Sequence, residues 1–335
     1  MVIDCLGGDN SPLANVNGTL RAMRENPDIS VIFAGNEKEI REILENASDY
    51  EALKGRIEVV NAPEIITGEE KPTDAIRLKK DSSMIRSISI LNNDESVGAM
   101  ISAGATGSLV AAVTLRIGRI RGIRRPAFCP ILPTMNGRVV GVCDSGANVD
   151  ITARQLLEFA ILGSVYMNSA YGIEKPRVAL LNIGTESEKG DELRRQAYGL
   201  LRDSEDINFV GNMESRDLLS GKYDLVVCDG FSGNVLVKTT EGTALQLLKK
   251  IKKDIMSRGI YKIGALFMKR MFAEEKEFMN YQNYGGSVLL GTEKTVVKCH
   301  GSGDEAGFAV CVSQAYRMQA ANMNDRISEI LKKYD

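Results

Sequence analysis

Histidine and tryptophan are almost missing from this sequence, which limits the chemistry that it can perform. Its 335 residues include no Trp and a single His, His300, so a Ser-His-Asp triad could be built only around that residue. The formal net charge of −2 gives no reason to expect nucleic acid as a partner. The N-terminus has no apolar run of signal-peptide length, and no later run approaches a membrane span. We therefore expect a cytoplasmic protein.

Zinc, ATP and NAD sites are not indicated either. The six cysteines form no C-x-x-C pair, and most lie in apolar runs where a thiol packs as a small hydrophobic group. Residues 184–190 do not form a P-loop, because Asp191 and Glu192 stand where Lys and Ser or Thr are needed. No G-x-G-x-x-G follows the first predicted strand, and Asn234 breaks the pattern G-x-S-x-G around Ser232. The sequence thus indicates no cofactor and no metal.

Apolar runs of strand length alternate with amphipathic segments of helical period along most of the chain. This alternation predicts an α/β protein with a mostly parallel sheet. Residues 128–133 and 138–143 flank Asn136 and Gly137, a favoured turn pair, and predict an antiparallel hairpin. The length suits one catalytic unit, 1–335, with two possible lobes: 1–150 with 285–335, and 151–284.

Glycine-rich turns follow predicted strands at 102–108, 144–150, 182–190 and 229–234. The last, Asp229-Gly-Phe-Ser-Gly-Asn234, joins a strand at 223–228 to a long helix predicted from residue 235. Amides at a helix N-terminus point outward and the helix dipole favours an anion, so this turn predicts a phosphate site. The alternative is that these glycines only form tight turns. We expect Asp150 to cap the helix from residue 152, which leaves Asp144 and Asn148 for other work.

A site rich in anion-binding turns and poor in nucleophilic side chains suits a reaction in which phosphate itself attacks. Helix N-termini and Lys189 could hold the phosphate, and backbone or Asn donors could stabilise a tetrahedral intermediate formed from an acyl thioester. Lys189 precedes a predicted helix, where a cation is unfavourable unless an anion is also bound, although an ordinary surface role is equally compatible.

A basic, apolar helical hairpin is predicted at about 245–280, after the long helix. Such a segment suits an anionic membrane surface or an acidic protein partner, and a solvated arm for subunit contact is the alternative. The residues that we expect to make this contact are Lys252, Lys253, Arg258, Lys262, Leu266, Phe267, Lys269 and Arg270.

Ordered motifs along the whole chain resemble those of the bacterial phosphate acyltransferase family (PlsX). They are Leu6-Gly-Gly-Asp9, Ser102-Ala-Gly-Ala-Thr-Gly107, Asp144-Ser-Gly-Ala-Asn-Val-Asp150, Leu181-Asn-Ile-Gly-Thr-Glu186 with Lys189-Gly190, Asp229-Gly-Phe-Ser-Gly-Asn234, and Leu289-Leu-Gly291 with His300-Gly301. The resemblance implies a three-layer α/β/α fold similar to phosphotransacetylase and isopropylmalate dehydrogenase. It also implies acyl phosphate formation from acyl-[acyl carrier protein] and inorganic phosphate, for phospholipid synthesis.

Further expectations about partners follow from the same resemblance. It implies a homodimer that associates peripherally with the membrane through the hairpin, and its product would supply a glycerol-3-phosphate acyltransferase. Two positions depart from the family pattern: Asn10 stands where His is usual, and Ala105 where Asn is usual. Asn10 can still donate a hydrogen bond, but it cannot shuttle a proton at neutral pH.

Catalytic roles are therefore expected at His300, as the proton donor to the departing thiolate, at Lys189, as the alternative donor, and at Asn234. The residues expected to bind phosphate or substrate are Gly8, Asp9, Ser102, Gly104, Thr106, Gly107, Asp144, Asn148, Asn182, Asp229, Ser232, Gly233 and Ser302.

Other activities remain open at the level of the sequence. One is a short-chain phosphotransacylase that uses acyl-CoA, and another is a metal-dependent decarboxylating dehydrogenase of the same fold, which would need Asp144, Asp150 and Asp229 to share a divalent cation. The third is a membrane-docked scaffold that binds carrier protein, although glycine turns at strand ends are not needed for scaffolding.

Overall fold

A computed structural model describes residues 1–257, 259–278 and 280–334, which form an α/β fold. The strands are β1 (Val2–Asp4), β2 (Val31–Gly35), β3 (Ile57–Asn61), β4 (Ala99–Ser102), β5 (Ala127–Cys129), β6 (Ile131–Pro133), β7 (Val139–Cys143), β8 (Arg177–Asn182), β9 (Asn208–Glu214), β10 (Leu225–Val227), β11 (Ser287–Leu290) and β12 (Thr295–Lys298). The helices are α1 (Leu13–Glu25), α2 (Glu37–Glu45), α3 (Tyr50–Leu53), α4 (Pro72–Leu78), α5 (Ser83–Asn93), α6 (Thr106–Arg116), α7 (Ala153–Tyr171), α8 (Glu192–Arg202), α9 (Gly230–Ser257), α10 (Gly259–Phe267), α11 (Lys269–Phe278), α12 (Glu305–Ala320) and α13 (Met323–Leu331).

The strands form two sheets rather than one. A seven-stranded sheet has the order β3-β2-β1-β4-β12-β11-β5, and a five-stranded sheet has the order β6-β7-β10-β8-β9. Strands β1, β2, β3, β4 and β12 pair in parallel, while β11 pairs antiparallel with both its neighbours. In the second sheet only the β6 and β7 pair is antiparallel. The predicted α/β class with mostly parallel strands is confirmed.

Pro130 marks the point where the chain passes from one sheet to the other. The predicted strand 128–133 is divided there, because β5 pairs with β11 in the seven-stranded sheet and β6 pairs with β7 in the five-stranded sheet. Proline has no amide hydrogen and cannot continue a ladder through both strands. The predicted hairpin is confirmed for β6 and β7, whereas the division into lobes at about residue 150 stays a prediction.

Helix α7 is the central packing element of the core. It is buried along most of its length and contacts β7 and β10 of one sheet and β11 of the other. Its N-terminus is closed by a capping box, in which Thr152 accepts from the Gln155 amide and Gln155 accepts from the Thr152 amide. The expectation that Asp150 caps this helix was wrong, because the Thr152 and Gln155 pair already satisfies these donors.

Helix α9 starts inside the turn that was predicted to precede it. The helix begins at Gly230 rather than at residue 235, and it extends through 28 residues to Ser257. The predicted hairpin turns at Met268, between α10 and α11. Arg258, one of the predicted contact residues, lies outside the described residues. No helix within the described ranges is long and apolar enough to cross a bilayer.

Two pairs of consecutive helices are separated by short breaks. Helices α4 and α5 are separated near Asp81, and α12 and α13 at Asn322, which adopts a left-handed conformation with φ of 48°. All six cysteines are buried free thiols, as expected for small hydrophobic groups.

Candidate active site

A cavity of about 240 Å³ lies where the two sheets meet, beyond the carboxyl ends of several parallel strands. Thr106, Lys298 and His300 follow or end strands of the seven-stranded sheet and line one side of it. Ser145, Asn234 and Lys238 line the other side, on segments that follow strands of the five-stranded sheet. In parallel α/β sheets the crevice at the carboxyl ends of the strands is the usual place for a ligand.

Three polar side chains form a row across neighbouring strands beside this cavity. Strand register places Asp4 and Lys298 on either side of Ser102. The hydroxyl of Ser102 donates to Asp4 Oδ2 at 2.6 Å and accepts from the Gly104 amide at 3.0 Å. Burial raises the pKa of Asp4, and the hydrogen bonds from Ser102 and Ser83 together with the charge of Lys298 oppose that rise. Ser102 therefore joins Asp4 to the turn at Gly104 and does not line the cavity.

Lys298 brings a nearly buried ammonium group to the cavity. The residue is only 9% exposed, and Nζ donates to the carbonyl oxygens of Ala103, at 3.2 Å, and Cys299. Burial lowers the pKa of Lys298, while the nearby charge of Asp4 opposes that effect. Sequence reasoning missed this residue. The signal available was a lysine that ends the apolar strand Thr295–Lys298, two positions before His300.

The Leu6-Gly-Gly-Asp9 loop acts mainly as a structural clamp. Gly7 has φ of +97°, and a Cβ added there would lie 2.7 Å from Gly104 Cα, so only glycine fits. The Asp9 amide donates to Gly301 O at 2.8 Å, and the Asn10 side chain donates to the carbonyls of Ser302 and Gly303. The expected hydrogen-bonding capacity of Asn10 is confirmed, and it fixes the His300 loop.

His300 presents its imidazole to the cavity in an orientation set by Ser302. The Ser302 amide donates to His300 Nδ1 at 3.2 Å, and the Ser302 hydroxyl lies 2.9 Å from the same atom. An Nδ1 that accepts a hydrogen bond leaves the proton of the neutral ring on Nε2. Partial burial and the charge of Lys238 lower the pKa of His300, so the neutral form dominates at pH 7. This arrangement favours a hydrogen-bond donor over the proton donor predicted from the sequence.

Asp144 and Asn148 are occupied within their own turn, contrary to the expectation that they are available for other work. Asp144 accepts from the amides of Phe128, Ala147 and Asn148 and from the Asn148 side chain. The Asn148 amide group also donates to Pro126 O at 2.8 Å. Burial raises the pKa of Asp144, and these hydrogen bonds oppose the rise. The pair shapes the segment that carries Ser145 to the cavity.

The turn at 229–234 already contains its own anion. Asp229 Oδ1 accepts from the Ser232 amide at 2.8 Å, and Oδ2 pairs with Arg194 at 2.7 Å. Although burial raises the pKa of Asp229, the hydrogen bonds from Ser232 and the pairing with Arg194 bring it below its usual value. The Gly230 amide is bonded to Asn148 O. The phosphate site predicted at this turn therefore loses its structural basis, and Asp229 caps the helix instead.

Close packing explains the glycines at the start of α9. A Cβ on Gly233 would lie 1.9 Å from Asp144 O, and one on Gly230 would lie 2.7 Å from Asn148 O. These two glycines let the helix approach the Asp144 turn, and this approach places Asn234 beside the cavity.

The turn at 182–190 does not border the cavity. The Asn182 side chain donates to Lys189 O at 3.0 Å and accepts from the Ile183 amide at 2.8 Å, which closes the loop. Lys189 is exposed to solvent on this loop. Three of the predicted turns thus meet at the cavity and this one does not, while Arg194 on the helix that follows it, α8, pairs with Asp229.

The cavity brings together only some of the side chains predicted from the sequence. His300, Asn234 and Thr106 line it. Lys189 and the following residues lie outside its lining: Gly8, Asp9, Ser102, Gly104, Gly107, Asp144, Asn148, Asn182, Asp229, Ser232, Gly233 and Ser302. Lys298, Lys238, Ser145 and Glu241 line it without having been predicted.

Solved structures with a similar fold include a phosphotransacetylase and a branched-chain phosphotransacylase. A phosphotransacetylase from Streptococcus pyogenes superposes with a TM-score of 0.58 over 95% of this chain and 94% of its own, at 16% identity. A branched-chain phosphotransacylase from Enterococcus faecalis superposes with a TM-score of 0.52 over 97% of this chain and 99% of its own, at 13% identity. At these identities the similarity defines the fold class, which agrees with the phosphotransacetylase-like architecture that the family resemblance implies.

Sequence relatives define the family. A phosphate acyltransferase from Bacillus cereus is 42% identical over 99% of this chain and 98% of its own length. Relatives of the same name from Brevibacillus brevis and Clostridium acetobutylicum are 40% and 41% identical over 99% of this chain, and over 97% and 99% of their own lengths. The profile described as "Fatty acid synthesis protein" matches residues 1–326. The chain therefore belongs to the phosphate acyltransferase family, as its motifs indicated, and is an acyltransferase enzyme.

Proposed function

We propose that this enzyme transfers an acyl group from acyl-[acyl carrier protein] to inorganic phosphate, releasing acyl phosphate and the carrier protein. The observation that carries the proposal is the near full-length similarity to proteins named phosphate acyltransferase. The family description, which refers to fatty acid synthesis, supports an acyl donor from that process. The cavity lining contains the two kinds of polar group that the reaction needs: a cation and hydrogen-bond donors.

The proposed reaction needs positioning more than covalent catalysis. A phosphate oxygen attacks the thioester carbonyl, a C–O bond forms, and the carbonyl oxygen gains negative charge. When the intermediate collapses, the C–S bond breaks and the sulfur leaves as a thiolate, which takes up a proton from solvent in place of the one that the attacking hydrogen phosphate releases. His300 Nε2–H and the Asn234 amide lie at the cavity and are the proposed donors to the developing oxyanion.

The helical hairpin suits delivery of the acyl donor or use of the product at a membrane. Leu266 and Phe267 are 72% and 87% exposed, and the basic residues Lys262, Lys269 and Arg270 lie close to them in sequence. An exposed apolar patch with basic neighbours is typical of a surface that contacts anionic lipid or an acidic protein. We place peripheral membrane contact here. The remaining predicted partners, a second subunit and a glycerol-3-phosphate acyltransferase, belong to the same proposal.

A donor comparison tests the proposed function. Purified protein is incubated with phosphate and either acyl-[acyl carrier protein] or acyl-CoA, and acyl phosphate is trapped with hydroxylamine as the hydroxamate. We expect product from the carrier-protein donor, with a much lower kcat/KM for acyl-CoA. A preference for short-chain acyl-CoA would replace the proposal with a phosphotransacylase, and no product from either donor would leave only a scaffold.

A further inference from the structure

We infer that Lys298 is the cation that binds the phosphate nucleophile, and that Asp4 and Ser102 position the wall of the cavity from which it acts. The inference rests on the proposed function, because it takes phosphate as a substrate. It replaces Lys189, which the sequence indicated for this role, with a residue that the fold brings to the cavity.

The environment of the Lys298 ammonium is electrostatically incomplete without an anion. Only 9% of the residue is exposed, and its partners in the part of the chain that the structure describes are two neutral carbonyl oxygens, those of Ala103 and Cys299. An ammonium group carries three N–H donors, and a buried charge is costly unless it is paired. Since Lys298 lines the cavity, an anion there could take the remaining donor and neutralise the charge.

The surroundings of the three candidate lysines explain why Lys298, rather than Lys238 or Lys189, is the cation that would bind phosphate. Asp4 influences Lys298 electrostatically but bonds to Ser102 instead, so its carboxylate does not compete for the ammonium at hydrogen-bond distance. Lys238, the other lysine of the lining, is exposed and pairs with Glu241 at 3.1 Å. Lys189 is exposed and outside the cavity.

Backbone amides beside Lys298 supply a second element of the same anion site. Helix α6 begins at Thr106, which lines the cavity, and its N-cap residue Ala105 has no side chain that could accept from the first amides. Most helices instead place a polar side chain at this position. A phosphate between Lys298 and the start of α6 would be stabilised by the charge of the ammonium group and by the dipole of the helix.

Substitution of the charge tests the inference. Lys298→Met keeps the length of the side chain and removes the ammonium. We expect the KM for phosphate to rise about 10- to 100-fold, the range for loss of a charge-assisted hydrogen bond, while the KM for the acyl donor changes less than about twofold. Lys298→Arg, which keeps the charge, should recover part of the loss. A rise confined to the KM of the acyl donor, or no rise at all, would overturn the inference.

Lys294→Met is the matched control. Lys294 is half-buried just before the same strand and donates to Val97 O at 3.2 Å, so like Lys298 it bonds to a backbone carbonyl, but it is less buried and lies outside the cavity lining. We expect this variant to retain the wild-type KM for phosphate. An equal rise in the KM for phosphate in both variants would indicate a general effect on the strand and would also count against the inference.

Phosphate binding can also be measured without acyl transfer, which separates this inference from the proposed function. Inorganic phosphate alone should raise the Tm of the wild-type protein and of Lys294→Met, and should not raise that of Lys298→Met. If the latter variant does not fold, hydrogen-exchange mass spectrometry of the wild-type protein gives the answer. Phosphate should then protect peptides covering 99–108 and 295–303, whereas protection confined to 183–191 would assign the anion to the Lys189 loop and refute the inference.

Discussion

Ser102 donates a 2.6 Å hydrogen bond to Asp4 across two neighbouring parallel strands, and both side chains are buried. This bond connects the end of the first strand to the turn that opens helix α6. The Gly104 amide donates to the same hydroxyl, so one serine fixes both a carboxylate and the start of a turn beside the cavity.

Loss of this hydroxyl should cost stability in a pH-dependent way. We expect Ser102→Ala to lower the free energy of unfolding by about 1–3 kcal/mol, since it removes one hydrogen bond from the buried Asp4 carboxyl and takes the acceptor away from the Gly104 amide. Because burial raises the pKa of Asp4, the folded protein keeps a proton on this carboxyl at pH values where the unfolded chain has already lost it. The contribution of Asp4 to the free energy of unfolding therefore falls as pH rises above about 3.9. Ser102 lowers that pKa, and the variant should therefore lose more stability at pH 8 than at pH 4.

Ser87→Ala is the control for this experiment. The hydroxyl of Ser87 is buried and has no hydrogen-bond partner in the described part of the chain. Its removal should leave stability unchanged or slightly improved, because no bond is lost. Denaturant unfolding followed by circular dichroism measures both variants, and similar losses for the two serines would contradict the role given to Ser102.

The pair between Arg194 and Asp229 should stabilise the start of helix α9. Asp229→Asn keeps a capping side chain but removes the charge, and we expect a loss of about 1.5–3 kcal/mol at pH 7. Because the pKa of Asp229 lies below its usual value, the difference from wild type should be complete above about pH 3.9 and disappear as pH falls below it. Asp191→Asn removes an exposed partner of the same arginine and should cost much less.

Two glycines of helix α9 should respond to alanine in opposite directions. Gly233→Ala would place a Cβ 1.9 Å from Asp144 O, and we expect a loss of at least about 2 kcal/mol because backbone must move. Gly242 has no atom within 4 Å of the added Cβ, so Gly242→Ala should stabilise the helix by about 0.5–1 kcal/mol. Thermal unfolding compares the two, and a stable Gly233→Ala would disprove the close approach of α9 to the Asp144 turn.

His300 should act on the chemical step as a neutral hydrogen-bond donor. We expect His300→Ala to lower kcat about 100-fold or more, as for loss of one oxyanion donor, and His300→Gln to retain more activity through its amide N–H. Because the pKa of His300 lies below its usual value of about 6.5, wild-type kcat should stay constant above that pH. A kcat that falls as pH rises from 6 to 8, and that loses this dependence in His300→Gln, would restore the proton-donor role.

The exposed tip of the hairpin should be required for membrane contact. The double substitution Leu266→Glu and Phe267→Glu should abolish co-sedimentation with anionic vesicles. The same variant should still form acyl phosphate from a soluble acyl donor. Leu115→Glu alters a residue that is 71% exposed on another helix and serves as the control. Unchanged vesicle binding, together with a changed mass in analytical ultracentrifugation, would favour the alternative of a subunit-contact arm.

Local patterns in the sequence were sufficient for the class of fold. Alternating strand and helix periods predicted the α/β architecture, and Asn136 with Gly137 predicted the hairpin of β6 and β7. The glycine-rich segments were correctly placed after strands, although residues 230–234 form the first turn of α9 rather than a separate turn before it. Their roles could not be predicted in the same way, because an amide in such a segment can be satisfied by a substrate or by a neighbouring carboxylate, and Asp229 and Asp144 supply the latter.

The sequence by itself determined the strand and helix order, the burial of the cysteines and, through its ordered motifs, the family. Only the tertiary structure decided which polar residues share the cavity. Lys298 is adjacent to Ser102 because two parallel strands lie in register, although 195 positions separate Lys298 from the Ala103 carbonyl that it binds. Charge and hydrogen bonding act over a few ångströms in space, and this proximity is set by strand pairing rather than by distance along the chain.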